Sequence, residues 1–269
     1  MDEIKNKKFV CADPNRSDLI YCGYKDENGK LYTFRYTQNQ RRLETRMKKY
    51  SKIKDKLNKE TIINEKSVKE LETTLSSLNS KTCNYDKFKK YCIEKNKVNY
   101  QLYSHYEQRC FRKFKLNAFT NTQKSQNKMI TNFQKKYGKQ ETIFVMGDYD
   151  KGDYNMKGKE PVICKKFRRI FKNAGYRTFL VNEFRTSKLC NCCNEELENF
   201  LERPSQKPKL KKEGKTEICH GLLRCKLVKH KSEIFHNRDK NAVQNMLNIV
   251  KSVLNTGKRP EIFCREVNS

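Results

Sequence analysis

The spacing of apolar residues changes twice along the chain. KKFVCADPN is a short apolar run that ends in Asp13-Pro14, a strand followed by a turn. In DLIYCGYKDENGKLYTFRYT two β-rich runs flank Glu27-Asn28-Gly29, and the Asn-Gly pair predicts a hairpin turn. Together these runs predict a three-stranded antiparallel meander whose first strand carries an acid at its end.

From about Gln38 to Tyr137 the period becomes helical, and glycine and proline vanish until Gly138. Leu43, Met47, Tyr50, Lys54 and Leu57 follow one stripe; Val68, Leu71, Leu75 and Leu78 follow another. Breaks are expected near Thr61 and near Asn79–Asn84. A third helix is expected from about Tyr85 to Phe114, with Phe88, Cys92, Leu102 and Tyr106 inward. The outer faces carry basic runs such as Arg41-Arg42 and Lys48-Lys49. One such run is a solvated face, but repeated runs beside Tyr and Phe suit a surface that tracks phosphates.

Strand character returns in ETIFVMGDYD. PVICKKFRRIFKNAG then reads as an amphipathic helix with Pro161 at its start and Gly175 at its end, and YRTFLVNEFRT as another strand. A β-α-β order implies a parallel pair joined by a crossover helix. NRDKNAVQNMLNIVKSVL closes the pattern as a final helix, leaving 255–269 as a loose tail. Antiparallel strands first, helix-linked parallel strands later and a closing helix make an α/β chain in the order of an RNase H-like fold.

Charge narrows the partner. Lys and Arg number 60 against 31 Asp and Glu, a formal net charge of +29. An excess of that size repels itself and calls for a polyanion, which points to nucleic acid through counterion release. Anionic membrane is the rival, but no apolar run approaches the roughly 20 residues that span a bilayer. The start MDEIKNKKFV is charged and carries no signal-peptide pattern. Of the 12 cysteines, Cys11, Cys22, Cys83, Cys92, Cys110, Cys164 and Cys264 are scattered singly, as small hydrophobes are. The rest gather between Cys190 and Cys225, which suggests a reducing compartment and a metal site.

Two constellations carry chemistry. A nuclease that uses two metal ions needs carboxylates at strand ends or helix starts, facing one point. Asp13 ends the first strand, Glu183 lies late in the last strand and Asp239 opens the last helix. Taken singly, Asp13 could start a turn, Glu183 could be a surface residue and Asp239 a helix cap. Three such acids in this order of elements favour the catalytic reading. The second constellation is Cys190-x2-Cys193, half of a tetrahedral thiolate site for Zn²⁺. Cys225 followed by His230 supplies the other half, with Cys192, Cys219 and His220 as competitors for a ligand position.

The strings VNEFRTSKLCNCC, CHGLLRC and HNRDKNAVQNM, with the opening CADPNRSDLIYCG, resemble Fanzor proteins and their TnpB relatives. Those are transposon-associated, RNA-guided DNA endonucleases related to type V CRISPR effectors. The resemblance runs from about residue 9 to about 250 and is weakest in the central helices. It implies a RuvC nuclease fold with a long helical insertion and an inserted zinc ribbon. The divisions it implies are 1–37 and 138–185 for the nuclease domain, 38–137 for the insertion, 186–235 for the ribbon and 236–254 for the closing helix.

Asp13 and Asp239 take the first and third catalytic positions by that resemblance. Most TnpB proteins carry the second acid at the end of the strand that here reads FVMGDYD, with Gly147 and Asp148 around that point. Fanzors carry a relocated Glu just before the FRTSK-like string, and Glu183 occupies that place, with Asp148 in reserve. The implied reaction is Mg²⁺-dependent hydrolysis of DNA phosphodiesters, with Arg185 or Lys188 steadying the strand and Arg238 supporting the carboxylates. The zinc would be structural, held by Cys190, Cys193, Cys225 and His230. DNA and a guide RNA are the implied partners, and a nuclear or virus-associated location is implied. Family members carry a large guide-binding lobe before the first nuclease strand. Here that strand begins within ten residues of Met1, so the lobe is expected to be missing, through a shortened descendant, a split reading frame or a partner chain that supplies it. Two other readings remain: a silent nucleic-acid-binding remnant, and a guide-independent RuvC-type nuclease.

Overall fold

The computed structural model describes residue 4 and residues 7–148, 163–227 and 234–265. They fall into two units: Met1–Gln38 with Lys128–Ser269, and Asn39–Asn127.

In the first unit, β1 (Lys8–Asp13), β2 (Asp18–Lys25) and β3 (Leu31–Thr37) form the expected meander. The β2–β3 turn closes on Asp26, whose carboxylate accepts from Lys30 N at 2.8 Å, while Gly29 takes the left-handed φ of 79°.

The second unit is helical. It holds α1 (Gln38–Glu44, whose first residue belongs to the sheet unit), α2 (Met47–Glu60), α3 (Val68–Thr74), α4 (Tyr85–Glu107) and the start of α5 (Arg109–Tyr137). Val68, Leu71, Val98 and Leu102 form its core. Beside it the buried His105 Nε2 meets Asn58 Oδ1 at 3.1 Å, and Asn58 Nδ2 donates to Tyr106 Oη at 2.7 Å. Two expectations are corrected. The helix that begins at Tyr85 stops at Gln108 rather than running on to Phe114, because Gln108 turns extended (ψ 139°). Phe88 is also exposed rather than inward, and Cys92 only half-buried. The buried residues of α4 are Val98, Leu102 and His105, all in its second half. A seven-residue α3 is about 10 Å long, too short to cover the 23 residues of α4.

The last turns of α5 return to the first unit, followed by β4 (Thr142–Gly147), α6 (Cys164–Asn173) and β5 (Arg177–Val181). The sheet order is β3-β2-β1-β4-β5, with β1, β4 and β5 parallel and β2 antiparallel to β1. This mixed five-stranded arrangement is that of an RNase H-like sheet. All six residues of β4 are buried, as a central strand covered on both faces requires. Side chains alternate accordingly. Val10, Ala12, Phe144 and Met146 pack with Met129 and Phe133 of α5 and Phe167 and Phe171 of α6. On the other face Cys11, Ile143, Val145 and Val181 pack with Val243, Met246 and Ile249.

A small β-rich segment follows: β6 (Leu197–Glu198), β7 (Glu202–Pro204), α7 (Pro208–Lys212), β8 (Thr216–Ile218), β9 (Leu222–Cys225) and β10 (Phe235–Asn237). The chain then enters α8 (Arg238–Thr256), which ends at Gly257 in the left-handed conformation. It lies close against β2: a Cβ on Gly23 would sit 2.6 Å from Val243 Cγ1, so only glycine permits this approach. Among the described residues, no helix is long and apolar enough to cross a membrane.

Candidate active site and cysteine cluster

Parallel strands place their C-terminal ends along one edge of the sheet. Asp13 ends β1, which pairs in register with β4 up to Ala12 and Met146, and Gly147 of β4 faces Val181 of β5. Glu183 stands two residues past β5 and reaches back across this edge. A Cβ built on Gly147 would lie 1.3 Å from Glu183 Oε1 and 2.7 Å from its Cγ, so the Glu183 side chain fills the space of a side chain at 147. Glycine at 147 is what allows the acid to arrive from the neighbouring strand.

Asp239 completes the group from the first turn of α8. It is not the helix cap: Asn237 holds that place, its side chain accepting from Lys240 N at 2.9 Å. The Asp239 carboxylate instead accepts from Asn15 Nδ2 at 2.6 Å, two residues beyond Asp13. Burial raises the Asp13 carboxyl well above the ordinary range; the charges of Glu183 and Asp239 add to this, and Arg238 opposes them. Asp239 is also raised, first by burial, with the Asn15 hydrogen bond and Arg238 working against it and Asp18 with it. Among the described residues, Asp13 meets the charges of Glu183 and Asp239 while Arg238 opposes them, a repulsion between carboxylates that a divalent cation would relieve. Asp148, by contrast, is exposed and lends its charge to Arg259.

Two asparagines that sequence reasoning passed over hold this arrangement. Asn241 and Asn245, buried one turn apart on α8, both donate Nδ2 to the carbonyls of Thr186 and Leu189, at 2.7 to 3.2 Å. Thr186 in turn donates N–H and Oγ1 to the Glu183 carbonyl, at 3.1 and 2.9 Å. The helix that carries Asp239 is therefore tied to the turn that carries Glu183. Replacing Asn245 by Ala is expected to destabilise the protein by about 1–3 kcal/mol, the cost of losing a buried hydrogen-bonding group. Urea unfolding measures it, and a change within error would show that Asn241 carries the tie alone.

Arg185 and Lys188 both pair with Glu196, at 3.1 and 2.8 Å, and Arg185 has a left-handed φ of 61°. They brace the turn before the cysteines.

Cys190, Cys193 and Cys225 come together with sulfurs within 4.8 Å of one another. Amide groups of residues 192 and 193 donate to the Cys190 sulfur and that of Leu227 to the Cys225 sulfur, the donors a thiolate cluster needs. Burial pushes the Cys190 thiol up to about 12, so ionised sulfur here calls for a cation. This donor set fits zinc. His230 lies outside the described residues. Cys192 and His220 are exposed, and neither they nor Cys219 joins the cluster. His236, buried on β10, brings Nε2 to 3.6 Å from the Cys190 sulfur, a neighbour the spacing had not indicated.

No family model matches the chain, and no curated protein does. Among solved structures, CasPhi-2 (Cas12j) bound to crRNA and phosphorothioate-DNA matches with a TM-score of 0.50 at 14% identity. The match covers 97% of this chain and 46% of that one. The mini-RNA-guided endonuclease CRISPR-Cas phi3 matches with a TM-score of 0.51 at 10% identity, over 92% of this chain and 45% of that one. The chain shares the fold of these RNA-guided nucleases. It spans less than half the length of each, so the fold, and not the whole activity, is what the likeness carries.

Proposed function

We propose that this chain is the nuclease part of an RNA-guided DNA endonuclease of the Fanzor and TnpB kind, hydrolysing phosphodiester bonds with divalent cations. The observation that carries the reading is the convergence of Asp13, Glu183 and Asp239, with the Glu183 carboxylate lying where a side chain at 147 would be. When bound there, Mg²⁺ supplies the positive charge that favours hydroxide as nucleophile and steadies the leaving oxygen.

The chain's own residues set the stage for that chemistry. Asp13 and Glu183 present oxygens from the sheet edge, and Asp239 presents its own from the helix start, oriented by Asn15. Arg238 moderates the repulsion between them. As water attacks phosphorus in line and gives up a proton to solvent, the P–O bond to the leaving oxygen breaks and that oxygen takes up a proton from solvent. Cys190, Cys193 and Cys225, with His230 as the fourth ligand, would hold a zinc whose role is structural. The positive excess of the chain binds DNA and a guide RNA, and the crRNA and DNA bound by CasPhi-2 support those partners.

A position swap tests the carboxylate assignment. Glu183→Ala is expected to lose divalent-cation-dependent cleavage of labelled DNA by a factor on the order of 10², as removal of one group that stabilises developing charge does. Adding Gly147→Glu to that variant returns a carboxylate to the same space, and part of the activity is expected to return with it. Undiminished cleavage by Glu183→Ala would remove Glu183 from the site.

A further inference from the structure

The helical unit exposes aromatic rings that its own core does not use. Tyr85, Tyr100 and Tyr103 on α4 are 72, 81 and 64% exposed, and Phe88 is exposed beside them. Tyr85 and Tyr103 are five turns apart on one line of the helix, about 27 Å along the axis, and Tyr100 lies about one turn before Tyr103. Lysines accompany the rings: Lys89 Nζ lies 5.9 Å from the Tyr85 centroid and Lys95 Nζ 5.5 Å from that of Tyr91. Residues 39–127 carry 22 Lys and Arg against 9 Asp and Glu, so the unit is strongly cationic in its own right.

The row ends at a cavity of about 390 Å³ bordered by Val98, Leu102, Tyr103 and Tyr106, with Lys95 and Asn99 also lining it. Its size falls in the range of small-molecule sites. Glu72, another lining residue, is tied to the Tyr106 hydroxyl and the Asn58 amide and offers carboxylate oxygens to ring N–H donors.

We infer that α4 is a binding site for a single-stranded polynucleotide, with unpaired bases stacking on Tyr100 and Tyr103 and one base entering the cavity beside Tyr103 and Tyr106. Exposed tyrosines are poor protein surface alone but good stacking platforms for bases of any sequence, and the lysines beside them neutralise phosphates. A duplex, whose bases are already stacked, gains nothing from such rings. The inference rests on nucleic acid being the partner and is independent of whether the carboxylate site cuts.

The test uses the full chain carrying Asp13→Ala, so that substrate survives, and short fluorescent single-stranded RNA or DNA of one sequence, titrated by anisotropy at several salt concentrations. Tyr100→Ala with Tyr103→Ala is expected to weaken binding by roughly tenfold, with the salt slope unchanged. Tyr103→Phe, which keeps the ring, is expected to retain affinity. Lys89→Ala and Lys95→Ala are each expected to lower the salt slope by about one. A loss confined to RNA would assign the site to RNA, and one shared with DNA to either strand. Unchanged affinity of the double tyrosine variant for both probes, with its helix content intact by circular dichroism, would overturn the inference. So would a change in oligomeric state in place of affinity, which would mark the rings as a protein contact.

Discussion

Asp13→Asn is expected to abolish DNA cleavage, by a factor on the order of 10³, while making the metal-free protein more heat-stable. Both effects come from one feature. Asp13 sits among Glu183 and Asp239, and burial with their charge raises its carboxyl well above the usual range. A carboxyl raised in this way holds its proton more tightly folded than unfolded. Stability of the metal-free protein therefore falls as pH climbs from about 4, the unfolded value, through the raised value, and Asp239 contributes with the same sign. Asparagine removes the Asp13 share of that slope and keeps the shape. Thermal melts in EDTA across this pH range measure it. Mg²⁺ is expected to raise the melting temperature of wild type near neutral pH and to raise that of Asp13→Asn much less. An asparagine variant less stable than wild type at neutral pH, without metal, would show that the carboxylates are not in mutual repulsion.

Cys225→Ser is expected to lose about one zinc per chain and to cost about 4 kcal/mol or more, the scale on which structural metal sites matter. Its sulfur lies 3.5 Å from that of Cys193, and three sulfurs share one space. The consequence extends to the carboxylates. Cys190 directly follows Leu189, whose carbonyl receives both Asn241 and Asn245. Loosening the cysteine cluster therefore slackens the tie between the Glu183 turn and α8. Metal content by mass spectrometry, with urea unfolding, checks both statements; full stability in a zinc-free Cys225→Ser protein would contradict them.

Much of the fold was legible because it rests on short-range signals. Alternating apolar runs, the Asn-Gly turn and Gly175 after α6 mark strands and helices before any packing is known, while Pro161 lies outside the described residues. The acid at the end of β1 could be read directly, since strand-end placement follows from the strand itself. Glu183 could not. Its place late in a strand made it a candidate and the resemblance gave it a role, but the reason is three-dimensional: a side chain crossing from beyond β5 into the space over Gly147.

Phe88 and Cys92 show the opposite limit. Periodicity finds a helix face but cannot say which turns of a long helix meet a partner, and only the second half of α4 does. Asn241 and Asn245 carried a signal that went unused. Two asparagines four apart on the apolar face of a helix are costly unless they bond to something fixed, and here they hold the turn between Glu183 and Cys190. Asn15 carried none, because its bond to Asp239 spans 224 positions of sequence.

The central claim is that three carboxylates on this sheet edge cut DNA. Its most direct test is incubation of the purified chain, with the RNA that co-purifies, with labelled single-stranded and duplex DNA in Mg²⁺, Mn²⁺ or EDTA. Asp13→Asn runs alongside. Cleavage that requires the divalent cation and disappears in Asp13→Asn is the result expected here. Tight, salt-sensitive binding with no cleavage in any metal, or equal cleavage by Asp13→Asn, would contradict it.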